Sequence, residues 1–175
     1  MRKKITIALC ILIVLLAFVN QNSFAQPAND NCANAKETLS KSPIEYGRYS
    51  DKKYVGEAAG IAYLAALRAI DVYLLNKRIP EKQLPKSIEG YWSFIKQHIT
   101  LNGKLSASLR IVYEDLHLGA YYRGFTSINV IKDGLQNVKK IIDMLSKLMT
   151  EKGNHESIVC EPEVTYKKRK KISKQ

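Results

Sequence analysis

Tyrosine and basic side chains fall together in two stretches of this chain. Tyr46, Tyr49 and Tyr54 alternate with Arg48, Lys52 and Lys53, while Tyr113, Tyr121 and Tyr122 run along a second segment that ends in Arg123. A tyrosine has a large apolar ring with one polar tip. Rings interleaved with cations can stack sugars or bases, each stacked base contributing roughly 1–3 kcal/mol. The candidate binding residues on this pattern are Tyr49, Lys53, Tyr54, Tyr121, Tyr122 and Arg123. The same rings can instead seal the ends of a helical bundle with their hydroxyls in water. A second pair, Arg110 and His117, is seven positions apart. That is close to two helical turns, so a helix would set a guanidinium and an imidazole on one face. The plain account of the pair is a surface arginine and a histidine near a helix end, and the residues alone mark no catalytic group.

Other chemistry is poorly served. His98, His117 and His155 are scattered without ligand spacing, and His155 with Cys160 supplies only two ligands, so no metal site is expected. No glycine-rich phosphate loop ending in Lys-Ser or Lys-Thr is present, and no Gly-x-Ser-x-Gly elbow. Several carboxylates sit directly beside lysines, as Glu81 beside Lys82 and Glu151 beside Lys152. No enzyme signature and no cofactor are implied.

The elements that must position these residues are read from periodicity. Residues 54–75, YVGEAAGIAYLAALRAIDVYLL, carry charge only at Glu57, Arg68 and Asp71. A helix apolar on nearly every side belongs in the middle of a bundle, and its glycines and alanines let neighbours come close. Ser50 is expected to cap it, and Pro80 to end it beyond Lys77 and Arg78. An earlier helix should run from Asp30 or Asn31 to about Ser40, and residues 44–49 should form a loop. Ser87 opens a third helix on the spacing Ile88, Tyr91, Trp92, Ile95, Ile99. The Asn102-Gly103 turn signal separates it from a fourth over 105–122, with Leu109, Val112, Leu116 and Ala120 on one face. Thr126 or Ser127 caps a last helix, where Ile128, Ile131, Leu135, Val138, Ile142, Leu145 and Met149 alternate steps of three and four, a bundle seam. The expected fold is all-α, an antiparallel bundle of four to five helices.

Composition sets the address. The chain has 175 residues and a formal net charge of +12, which favours acidic partners. Arg2, Lys3 and Lys4, an apolar run over 5–19 broken only by Thr6, and Ser23-Phe24-Ala25 before Gln26 form the three parts of a secretory signal peptide. Export to the periplasm or beyond is expected, with cleavage after Ala25; the alternative is an uncleaved membrane anchor. Cleavage removes the three charges of Arg2, Lys3 and Lys4, taking +12 to +9. Cys32 and Cys160 then remain, as a candidate disulfide in an oxidising compartment or as two free thiols. The expected organisation is a signal peptide over 1–25, a bundle domain over 26–152 and a basic, disordered tail over 153–175. That tail carries Lys167, Lys168, Arg169, Lys170, Lys171 and Lys174, and is expected to attract anionic surfaces or polyanions.

Three motifs carry a resemblance: YSDKKYV at 49–55, AGIAYLAALRAID at 59–71 and YEDLHLGAYYRG at 113–124. Together they resemble a family of small bacterial, Bacteroidetes-type helical-bundle proteins of unknown function, over about residues 34–148. That family is similar to the HEPN (higher eukaryotes and prokaryotes nucleotide-binding) bundles. The resemblance implies a HEPN-like fold. HEPN-type ribonucleases carry an arginine, an adjacent polar residue and a histidine after four to six intervening residues, the histidine serving metal-free RNA cleavage. What the resemblance implies as catalytic candidates are Arg110 and His117, with six residues between them, but Ile111 stands where the motif has a polar residue. Catalysis would need the two to converge in a cleft or across a two-fold homodimer interface. Two readings follow: an exported, non-enzymatic bundle that acts through its surface, or a HEPN-like nucleotide- or RNA-binding protein.

Overall fold

The computed structural model describes residues 28–100 and 102–150. The signal segment, the basic tail and Cys160 lie outside the described residues, so the expectations placed on them stand as they were. Within that range the chain is an all-α bundle, as its periodicities predict. Helix α1 covers 28–40 and buries Ala28, Cys32, Ala35 and Leu39 at steps of three and four. It ends at Ser42, whose hydroxyl accepts the Asp51 N–H at 2.9 Å.

The expected loop over 44–49 is a miniature hairpin. Strands β1 (Ile44–Glu45) and β2 (Arg48–Tyr49) pair antiparallel, with Ile44 opposite Tyr49. Tyr46 and Gly47 both take positive φ, 48° and 75°. That is the signature of the tight primed turn whose twist matches two short strands. The hairpin is tied to a segment distant in sequence: Tyr49 N–H donates to the Thr126 carbonyl at 2.9 Å, and Ile128 N–H to the Gly47 carbonyl at 3.3 Å.

Helix α2 (Lys52–Asn76) is the core helix. Its N-cap is Asp51, which accepts the Lys53 N–H at 2.9 Å. Ser50 does not cap as expected, because its N–H and hydroxyl both go to the Pro43 carbonyl, at 2.9 and 3.2 Å. The helix closes with Arg78 at φ 63° and Ile79 N–H returning to the Leu74 carbonyl at 3.2 Å, a Schellman-type end. By length and composition α2 is apolar enough to cross a membrane, yet most of that window is buried inside the bundle. Ala58, Ala59, Ala62, Ala65, Ala66 and Ile70 are all at or near complete burial, so its small residues serve close packing.

Helix α3 (Ile88–His98) opens at Ser87, which accepts the Gly90 N–H at 3.2 Å. The Asn102 amide donates to the Ile95 and Ile99 carbonyls, at 3.3 and 3.0 Å. The residue that breaks the helical run thus also satisfies the end of α3. Helix α4 (Gly103–Ile111) then continues directly as an i→i+5 π-helix over Val112–Tyr122. Helix α5 (Ile128–Thr150) completes the bundle. Its seam is wider than expected, since Gly134, Asn137 and Ile141 are buried beside Ile131, Leu135, Val138, Ile142 and Leu145. The core lies where α2, the π-helix and α5 meet, with α3 held more lightly at the side.

Candidate functional site

The π-helix sets the geometry of the site. In an α-helix, residues eight apart diverge by about 80° around the axis. A turn closed by i→i+5 bonds takes more than four residues, which keeps positions four apart in line. Tyr113, His117 and Tyr121 therefore stack as a ladder, with ring centroids 5.5 and 6.0 Å apart and the upper pair only 3° from parallel. Tyr63 of α2 lies against His117 at 4.3 Å, and Trp92 of α3 meets Tyr113 edge-on at 5.9 Å. Tyr122 stands edge-on to both His117 and Tyr121, at 5.0 and 5.2 Å. Pairs of this kind each add roughly 0.5–1.5 kcal/mol beyond their burial.

Burial decides the charge state of the ladder. It lowers the His117 pKa below 6.5, so the imidazole is neutral at pH 7. It pushes the Tyr63 hydroxyl up to about 12, with smaller contributions from Tyr113, Glu89 and Tyr122. The ladder leaves the core at the bundle end with its imidazole neutral.

There it meets three other segments. Tyr121 lies over Gly60 of α2, where an added β-carbon would sit 3.4 Å from the ring. The Phe125 ring packs on Gly119, and Gly124 (φ 68°) lies against the Lys52 stem. The hairpin is bonded to the same 126–128 segment. Gathered at this end are Tyr46, 102% exposed, with Tyr122 at 68%, Tyr121 at 54% and Phe125 at 45%. Arg48, Lys52, Lys53 and Arg123 are exposed around them, and none of the four has a carboxylate partner among the described residues. The Lys53 ammonium lies 5.7 Å from the Tyr54 ring centroid, within cation–π range.

The sequence-derived residues divide accordingly. Lys53, Tyr54, Tyr121, Tyr122 and Arg123 come together at one end of the bundle, Tyr54 half-buried and the others exposed. Tyr49 does not join them as a surface ring: it is 7% exposed, a core side chain under the hairpin. Tyr46, Ile44 and Phe125 join this end although the tyrosine–cation pattern does not select them as binding residues. The Tyr46-Gly47 pair was the available signal, since a tight turn presents its central side chains to solvent. No hydrogen bond, ion pair or ring contact joins Arg110 to His117 among the described residues: Arg110 is exposed on α4, while the half-buried His117 lies among tyrosine rings. The change from α- to π-helical winding at Val112 explains this, because seven positions no longer close on two whole turns.

Two other features lie away from this end. A groove of about 530 Å³ runs between α4 and α5, lined by Lys104, Ile111, Asn137, Lys140, Met144 and Lys147 among others. A polar cleft of about 600 Å³ lies where α1, α2 and α3 meet. In it the Tyr91 hydroxyl donates to Asp71 at 2.9 Å, and burial raises the Asp71 pKa against the pull of Tyr91 and Arg68. Among the described residues no three His, Cys, Asp or Glu side chains gather as a metal site would require.

No curated protein matches the chain. A solved structure of a protein of unknown function from Dyadobacter fermentans is similar to it, at 31% identity and a TM-score of 0.64, over 73% of this chain and 97% of that one. The family model for a domain of unknown function, DUF5618, matches residues 24–147, and the chain belongs to that family.

Proposed function

We propose that this protein is an exported, non-enzymatic binding module that acts through the aromatic and cationic end of its bundle. The observation that carries this reading is the grouping of Tyr46, Tyr121, Tyr122 and Phe125, all well exposed, among four cations without carboxylate partners. Monomeric soluble proteins seldom leave such a grouping open without a use, and Tyr and Arg are the residue types that most often anchor recognition. Export rests on the charge, apolar run and small residues of positions 1–25. The basic run at 167–171 is a second, weaker means of attraction to polyanions.

The HEPN-like reading, a nucleotide-binding protein or a metal-free ribonuclease, needs Arg110 and His117 to act on one phosphate. With His117 packed among four tyrosine rings and Arg110 outside that cluster, it draws no support from the side-chain geometry within one chain.

The test is site-directed photo-crosslinking in the producing cell. A benzophenone side chain at position 122 is expected to give defined adducts, and the same group at exposed Lys96 of α3 is not. Equal yields at the two positions, or none at either, would refute the binding role of this end. N-terminal sequencing of the exported protein should begin at Gln26, and a product starting at Met1 would refute the cleavage.

A further inference from the structure

We propose that the partner of this bundle end is the surface of a membrane that carries anionic lipids, an inference that rests on the binding reading above. The chemistry of the end is that of an interfacial surface. Tyr121 and Tyr122 present an amphipathic ring, apolar in its body and polar at its tip, the side-chain type that settles at headgroup depth. Phe125, 45% exposed, and Ile44, 55% exposed, add purely apolar tips. Arg48, Lys52, Lys53 and Arg123 surround them. The acids in the hairpin, the first two turns of α2 and residues 121–125 are Glu45, Asp51 and the exposed Glu57, three against the four cations, and Asp51 is engaged in capping α2. The local charge is thus net positive, and each basic residue near an anionic leaflet adds attraction. Lysine and arginine stems can lie along the rings while their heads reach phosphate.

Two further observations favour a broad surface over a pocketed ligand. Both wide clefts, at α4–α5 and beside Asp71, lie elsewhere on the bundle. The end is also prepared for partial dehydration: the Tyr49 and Ile128 N–H groups donate to Thr126 and Gly47, so shallow contact with headgroups strands neither donor. An unpaired backbone group would oppose such contact.

The experiment is co-sedimentation of the mature chain, tail included, with phosphatidylcholine vesicles and with phosphatidylcholine–phosphatidylglycerol vesicles. Binding is expected to the mixed vesicles and to be much weaker to phosphatidylcholine alone. Lys52→Glu/Lys53→Glu/Arg123→Glu should weaken it at least about tenfold, given the attraction per basic residue at a surface. Lys96→Glu/Lys104→Glu/Lys147→Glu makes the same change in net charge away from this end and should retain most of the binding. Tyr46→Asn/Tyr122→Ser removes the two most exposed rings, keeps a residue that tolerates positive φ at 46, and should abolish the part of binding that survives high salt. A thermal melt on each variant separates lost binding from lost fold. Equal loss in both charge variants, or wild-type binding indifferent to phosphatidylglycerol, overturns the inference. A protein adduct from position 122 in place of a lipid adduct also overturns it, while leaving the binding role of the end intact.

Discussion

His117 contributes to stability through its neutral form. Burial holds its pKa below 6.5 in the folded chain, so the unfolded chain takes up the proton first as the pH falls. The stability that follows is present above 6.5 and is lost as the pH drops through the lowered folded value. His117→Phe keeps a ring among Tyr63, Tyr113 and Tyr121 and cannot titrate. Its melting temperature should fall less steeply than that of the wild type as the pH drops below 6.5; parallel curves would show that His117 is not the group responsible. The residue scale is also where the sequence was hardest to read. Tyr46 and Tyr49 look alike in a string of letters, three positions apart. Only the left-handed turn at 46–47 and the bond from Tyr49 to Thr126 send one to solvent and the other into the core, and both depend on a partner about eighty residues away.

At the scale of elements, the π-helix and α5 touch where Gly134 faces Leu116. A β-carbon at 134 would stand 2.5–2.6 Å from the Leu116 side chain, so close that the buried leucine must shift or the helices move apart. Gly134→Ala gains up to about 1 kcal/mol of helix propensity, but overpacking a filled core costs about 1–3 kcal/mol. The net expectation is a loss of stability, read as a lower denaturant midpoint at unchanged slope; a rise would mean the leucine moves aside freely. The helices themselves were legible. The α5 seam, the Ser87 cap and the Asn102-Gly103 break all follow from patterns of local sequence. The π-helix was not, because Leu109, Val112, Leu116 and Ala120 are buried and satisfy an α-helical stripe equally well. The difference lies in the hydrogen bonds, which leave no mark on hydrophobic periodicity. Setting Arg110 and His117 on one helix face assumes regular α-helical winding across a stretch that does not have it.

At the scale of the molecule, the bundle was legible because its apolar stripes are long. The aromatic end was legible only in part, because it is assembled from the hairpin, α2 and the 121–128 segment, which are distant in sequence. The run at 167–175 remains an expectation. It carries six basic residues and no acid, a composition that attracts polyanions. Deleting 167–175 should leave the melting temperature almost unchanged and lower retention on heparin at low salt, an effect that fades as salt screens it. Equal retention with and without the run would assign polyanion binding to the bundle alone.

Ala28 and Met149 line the same small cavity, together with Ala69 and Leu145. The first and last described turns of the bundle therefore lie side by side. From there α5 runs 23 residues, about 35 Å, to the end that holds Tyr121 and Tyr122. The described ends of the chain and its aromatic face thus occupy opposite poles. A label or support fixed to the Ala28–Met149 pole would leave the aromatic pole open, whereas one coupled at Lys52 or Lys53 would cover it.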